Sequence, residues 1–317
     1  MTEKITNAPY RVLNMNNYIH DMLFSEISNF KKSGNIKTGF ENLDEITNLY
    51  PGLYVAGAIS SLGKTTFCQQ MADQLAEAGN NVLYVSTEQN TLELASKSLS
   101  RILAKKGFTN ALTSLQIRNG ANEPLIKEAI ADYGEFAGKL TVLDCSFSVT
   151  IDDIEKVVIQ RITEEKEKPV VVIDYLQAIH PDSNSVKSTK DVVDEHVRRL
   201  KQLQSDNDLV VIVISSLNRQ NYLTQIDYES FKESGGIEYT ADVVWGLQLN
   251  ALHNPDFEKK SISEKRELLQ KAKSESPRKI ELVSLKNRFG KSGYTCKFDY
   301  FPQFDWFRPD MSEADIQ

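Results

Sequence analysis

The residues with the plainest chemical purpose are Gly63-Lys64-Thr65-Thr66, which close the run Ala58-Ile59-Ser60-Ser61-Leu62-Gly63. An apolar stretch at 53–57 precedes them and a helix-patterned stretch at 65–78 follows. A glycine, a lysine and a hydroxyl residue between a strand and a helix form a phosphate cradle, because backbone N–H groups and the helix N-terminus all face the anion. In such a loop Ser60, Ser61, Leu62, Gly63 and Thr66 supply the wall. Lys64 reaches the β- and γ-phosphates, and the Thr65 hydroxyl binds Mg²⁺. Ala58 stands where the pattern usually has its first glycine, and Gly57 lies one residue too early to replace it. The flanking strand and helix support the phosphate loop against a chance Gly-Lys-Thr in a turn.

Two carboxylates complete the expected chemistry. Asp174 ends the β-branched run Val170-Val171-Val172-Ile173. At the tip of a strand neighbouring the loop it would hold Mg²⁺ directly or through water. Its alternative is a turn former or helix cap. Glu88 follows the apolar run at 82–86 and could deprotonate an attacking water on the γ-phosphate side. Its alternative is a cap on the next helix, where an acidic first-turn residue is favourable.

The elements that must position these groups alternate along the chain. Strands are expected at 53–57, 82–86, 140–143, 170–173, 210–214, 243–249, 280–285 and 294–298, and helices at 65–78, 92–106, 123–136, 151–166 and 191–206. Continuous β-branched runs suit strands buried on both faces, so the pattern predicts an α/β fold with a mostly parallel sheet. An arm at 1–36 carries one amphipathic helix over 17–32, with Tyr18, Ile19, Met22, Leu23, Ile27 and Phe30 at helical spacing. Either its own domain or a neighbouring subunit must cover that stripe. A polar stretch at 253–279 interrupts the alternation; from 258 to 279 it holds eight Lys/Arg against four Asp/Glu. It reads as a solvated insertion with helical character. A tail is expected at 309–317.

Composition narrows the setting. Hydrophobic residues make up 40% of 317 and charged residues 26%, the profile of an ordinary globular chain. Cys68, Cys145 and Cys296 have no metal or disulfide spacing. No signal-peptide pattern opens the chain and no apolar run is long enough to span a bilayer, so a cytoplasmic protein without a membrane partner is expected. A net charge of −7 argues against an extensive surface coating nucleic acid, though not against a local basic site.

The motifs then match a family. Thr38-Gly39-Phe40, Gly63-Lys64-Thr65-Thr66, Ser86-Thr87-Glu88, Asp174-Tyr175-Leu176-Gln177, Leu217-Asn218-Arg219, Glu233-Ser234-Gly235 and Lys286-Asn287-Arg288 occur in the order found in DnaB-type replicative helicases. The chain resembles their RecA-like ATPase domain over roughly 37–300, within a domain expected at 37–308, and the alanine at 58 is common in that family. The resemblance implies an ATP-driven helicase or translocase on single-stranded DNA, working as a homo-oligomer, a hexameric ring, in DNA replication. It makes Glu88 the catalytic base and Asp174 the Walker B carboxylate. Lys286 and Arg288 would act in the next subunit's site, with Arg288 as arginine finger. By spacing alone these two are same-face residues near a strand end, more often solvated charges.

DNA contacts are implied for Lys187 and Lys190 in one central loop and for Lys232, Glu233 and Gly235 in the other. The helix at 17–32 resembles the linker helix that docks on a neighbouring subunit. The family's N-terminal helical domain, which engages primase, is not represented; primase or a loader protein is an expected partner. One departure bears on mechanism. Ser216 stands where the family usually has Gln, which links the γ-phosphate to the DNA loops. That substitution favours an alternative function as a non-unwinding loader, recombination mediator or regulator. A small-molecule kinase would leave Lys286-Asn287-Arg288 without a purpose.

Overall fold

The β-branched runs that read as doubly buried strands form the centre of one sheet, nine strands wide among the described residues. A computed structural model of the chain describes residues 13–34, 36–145, 148–166, 168–181, 188–218, 222–231 and 235–311. The strands are β1 (Gly52–Ala58), β2 (Val82–Ser86), β3 (Leu140–Asp144), β4 (Val170–Asp174), β5 (Val210–Ser216), β6 (Val243–Leu249), β7 (Arg278–Asn287), β8 (Thr295–Phe301) and β9 (Trp306–Pro309). Their order is β3-β2-β4-β5-β1-β6-β7-β8-β9. The first six run parallel, and β7, β8 and β9 add antiparallel at one side. β9 was not expected from the sequence. Its four residues end on a proline, and only pairing with β8 makes them a strand.

The helices are α1 (Met15–Asp21), α2 (Leu23–Ser33), α3 (Glu41–Asp44), α4 (Lys64–Glu77), α5 (Thr91–Lys106), α6 (Ser114–Arg118), α7 (Glu123–Ala137), α8 (Ile151–Glu165), α9 (Thr189–Asn207), α10 (Gly235–Thr240) and α11 (Ile262–Ser274). Parallel strands joined by right-handed crossovers dictate where they lie. The connections through α4 and α5–α7 step toward β3, and those through α8 and α9 step back toward β1. The two sets therefore cover opposite faces, and each packs within itself. α11 occupies the polar 253–279 stretch with only Leu269 buried, the solvated reading.

The expected single arm helix is two helices. Met22 leaves helical geometry (φ −126°, ψ −33°) and separates α1 from α2. Met22 and Leu23 both belong to the apolar stripe, so periodicity carries no sign of that break. Half of the stripe faces outward: Ile19, Ile27 and Phe30 are exposed, as are Met15 and Phe24 beside it, while Tyr18, Met22 and Leu23 are half-buried. Phe30 stacks on Tyr50 of the main body at 5.1 Å.

A buried ion pair ties α4 and α5 to the C-terminal strands. Arg101 and Asp73 are both buried and paired, and Ser98 Oγ also donates to Asp73 at 2.6 Å. Arg101 Nη1 donates to the Asp305 carbonyl, 2.8 Å away in the turn before β9. Removing one partner of such a pair strands a buried charge, which costs about 3 kcal/mol or more. Asp73→Asn should therefore lower the unfolding free energy by about 3 kcal/mol in a urea titration. A loss below about 1 kcal/mol would mean that solvent reaches the Arg101 guanidinium.

Candidate nucleotide site and its distant basic pair

Four strand ends, from β1, β5, β4 and β2, line one edge of the sheet, with Ala58 opposite Ser216 and Asp174 opposite Ser86. The sequence reading put Asp174 on a strand next to the phosphate loop. The structure corrects this: β5 lies between β1 and β4, because strand order is set by crossovers and not by chain order. The corrected order places Ser216 directly between loop and carboxylate.

The loop turns through Gly63, whose φ of 87° is left-handed, and α4 starts at the next residue. A Cβ on Gly63 would lie 2.8 Å from the Tyr300 ring and 3.0 Å from Phe307, so only glycine fits. Thr66 Oγ1 lies 3.3 Å from Asp305 Oδ1, and Arg278 donates to the Ser61 carbonyl at 2.7 Å. Ser60 Oγ lies 3.4 Å from the Tyr222 hydroxyl. The antiparallel strands and their turns thus brace the loop from behind.

Lys64 is half-buried in the middle of the site. Its ammonium donates to Ser216 Oγ at 2.9 Å and lies 5.4 Å from the centre of the Tyr175 ring. Burial lowers its pKa, while the charges of Asp174 and Glu88 raise it. Both carboxylates are therefore within electrostatic reach of the lysine. Asp174 is buried at the end of β4 and accepts from the Tyr84 hydroxyl at 3.1 Å. Burial raises its pKa, opposed by the Thr65 and Tyr84 hydroxyls. Its Oδ1 is buried with no hydrogen-bond partner among the described residues.

Glu88 is exposed in the turn between β2 and α5. It is not the helix cap: Asn90 accepts from the Glu93 N–H at 2.9 Å, and the Glu93 side chain answers. Glu88 faces Tyr175 instead, whose hydroxyl pKa is raised by burial and then by the Glu88 charge. Gln177 bridges the neighbouring strand ends, donating to Ser215 Oγ at 2.9 Å and accepting from the Ser216 N–H at 3.1 Å. Sequence reasoning missed Tyr84, Tyr175, Gln177 and Tyr222 as site neighbours. Tyr175 and Gln177 left a signal in the motif Asp174-Tyr175-Leu176-Gln177, and Tyr84 in its phenol hydroxyl between apolar strand residues.

A magnesium ion fits this donor set. Among the described residues no three His, Cys, Asp or Glu side chains form a metal cage. Mg²⁺ beside a nucleotide needs only one or two protein oxygens plus phosphates and water. The partnerless Asp174 Oδ1, with the Thr65 hydroxyl near its carboxylate, supplies them.

Lys286 and Arg288 lie elsewhere. β7 runs antiparallel to β6, with Asn287 paired to Val243, which pairs in turn with Tyr54. That is four residues back from Ala58, roughly 13 Å along the strands at 3.3 Å per residue. Lys286 Nζ donates to the Glu238 carbonyl at 2.6 Å, and Arg288 Nη1 to Asp242 Oδ1 at 3.1 Å. Of the expected DNA contacts, Lys190 lies in the first turn of α9 and Gly235 opens α10. A Cβ on Gly235 would lie 3.6 Å from the Lys190 ammonium, so the two candidate segments meet there. Lys187, Lys232 and Glu233 lie outside the described residues.

Comparison with known proteins follows the same lines. A family model for the DnaB-like helicase C terminal domain matches residues 35–309. The chain is 29% identical over 288 residues to the replicative DNA helicase DnaB of Geobacillus stearothermophilus, covering 86% of this chain and 56% of that one. It is 27% identical over 259 residues to the replicative DNA helicase DnaC of Bacillus subtilis, covering 78% and 56%. The chain thus spans about half the length of the curated relatives it matches. Among solved structures, a DnaB-like replicative helicase described with its interactions with primase superposes with a TM-score of 0.72 at 21% identity. The match covers 93% of this chain and 69% of that one, and shows a shared fold.

The lowered Lys64 pKa gives a signed expectation. The charged ammonium is the form that would hold a phosphate, and burial makes it lose its proton at a lower pH than an exposed lysine. Affinity for a fluorescent nucleoside triphosphate should therefore fall on the alkaline side, starting below the range where an exposed lysine titrates. In a Lys64→Arg protein that still binds, this alkaline fall should vanish. Persistence of the fall in that protein would assign it to another group.

Proposed function

The chain belongs to the DnaB-like helicase C-terminal domain family, and from that premise we propose that it is an ATP-driven motor of DNA replication. It assembles as a ring, a hexamer, and moves along single-stranded DNA. The observation that carries the shared-site reading is the position of Lys286 and Arg288. They sit at the opposite edge of the sheet from the phosphate loop, so they serve a nucleotide on the next subunit.

Each site would then join two chains. The loop N–H groups and Lys64 hold the β- and γ-phosphates. Thr65 and Asp174 hold Mg²⁺, which screens phosphate charge when bound. Glu88 takes a proton from the water that attacks the γ-phosphorus, and its exposed position leaves room for that water. Arg288 and Lys286 of the next chain stabilise the charge that develops on the transferred phosphoryl group. DNA phosphates meet the region where Lys190 and Gly235 converge. The exposed apolar residues of α1 and α2 dock on a neighbouring subunit, burying Met15, Ile19, Phe24 and Ile27. Primase or a loader protein is the expected further partner.

Ser216 supports a second reading, an ATPase that binds DNA without unwinding it. Its hydroxyl has no amide with which to connect the γ-phosphate to the DNA segments, and here it accepts from Lys64. DNA-dependence separates the two. The motor predicts ATP turnover stimulated by single-stranded DNA, with light scattering giving the mass of a ring. DNA-indifferent turnover by a monomer would refute it. Glu88→Gln should bind ATP without turning it over, and Arg288→Ala should lose about 10³-fold in kcat. Mixing the two inactive proteins should restore part of the activity at shared interfaces. No restoration would contradict a finger acting between subunits.

A further inference from the structure

The basic pair is held within its own subunit, and what holds it was not foreseen from the sequence. Asp242 sits immediately before β6 and is buried. Its Oδ2 accepts from the Leu53 N–H at 2.8 Å and from Lys201 Nζ at 2.6 Å. Its Oδ1 accepts from Arg288 Nη1 at 3.1 Å. Arg288 Nη2 lies 3.4 Å from the Tyr239 carbonyl, in the last turn of α10. The Arg288 N–H also donates to the Asp242 carbonyl, at 3.0 Å. Lys286 donates to the Glu238 carbonyl of the same helix end.

A guanidinium is a planar fork with five donors. Here Asp242 and Tyr239 take one side of the fork, while the Arg288 side chain stays 51% exposed. Lys201 shares the Asp242 charge, so the carboxylate is compensated whether or not Arg288 stays close. The same network reaches the candidate DNA segments. Lys201 belongs to α9, whose first turn holds Lys190, and α10 begins at Gly235. The Gly236 N–H ties these two helices by donating to Asp194 Oδ1 at 2.9 Å.

We propose that Asp242 is a positioning residue for the finger: with the α10 carbonyls it fixes one side of the Arg288 guanidinium and turns the other toward the neighbouring subunit's γ-phosphate. The proposal rests on the reading of Arg288 as a finger between subunits. Asp242 touches no nucleotide and acts only through Arg288. A displacement of about 1 Å in such a group costs up to roughly 100-fold in rate.

Asp242→Asn tests this. An amide has one acceptor oxygen; serving Leu53 and Lys201 turns its NH₂ toward Arg288 and breaks the hold. The variant should lose roughly 10-fold to 100-fold in kcat, with its own nucleotide affinity unchanged. Its own phosphate loop and Glu88 are intact, so mixing it with Glu88→Gln, whose finger is intact, should recover turnover. Asp242→Asn added to Arg288→Ala should cause no further loss. Failure to recover on mixing, or additive losses in the double variant, would overturn the proposal and give Asp242 a purely structural role. Arg288→Ala mixed with Glu88→Gln runs in parallel. If that pair recovers and the Asp242→Asn pair does not, the finger stands and the positioning inference falls; if neither recovers, the finger itself falls.

Should Asp242→Asn fold poorly, Arg288→Lys at the half-exposed position gives a second test. An ammonium retains the charge and loses the planar fork that spans Asp242 and Tyr239. The proposal expects at least a 10-fold loss, recovered by mixing with Glu88→Gln. Turnover within twofold of the native protein would overturn it.

Discussion

The structure depends on a separation imposed by one rigid sheet. The phosphate loop, Asp174 and Glu88 stand at the C-terminal ends of parallel strands, where loop N–H groups and the start of α4 can face an anion. Lys286 and Arg288 stand at the other end, because β7 runs the opposite way. Hydrogen-bonded strands, buried on both faces, cannot bend to bring the two sets together. A nucleotide site that uses both must be made from two copies of the chain.

Around that constraint the local chemistry is economical. Lys64 is half-buried and, in this structure, rests on a neutral hydroxyl, so it can move to a phosphate without breaking an ion pair. Asp174 keeps one oxygen without a hydrogen-bond partner among the described residues, a costly state for a buried carboxylate and one that a cation would relieve. The aromatic cluster of Phe67, Phe298, Tyr300 and Phe307 fixes the Gly63 turn from behind. Much of the apparatus at the site belongs to the antiparallel strands, far from the loop in sequence.

What the sequence revealed follows from how local each signal is. The strands Val170–Asp174 and Val210–Ser216 were legible because β-branched runs have one good use. Gly63-Lys64-Thr65 was legible because phosphate binding needs those types at that spacing. Strand order was not: nothing in residues 170–216 says that β5 will lie between β1 and β4. β9 was hidden for the same reason, being a strand only by virtue of its partner. Asp242 left a faint trace, an acid directly before an apolar strand, and its three partners come from three distant segments. The break at Met22 was hidden by its own hydrophobicity, which continues the stripe it interrupts.

The central claim is that a nucleotide site is completed only between subunits. Turnover per subunit, followed as the protein is diluted while light scattering reports the mass, tests it most directly. Specific activity should collapse in step with the loss of assembled rings, while nucleotide binding by the separated subunits persists. Full turnover per subunit at dilutions where only single chains remain would contradict the account.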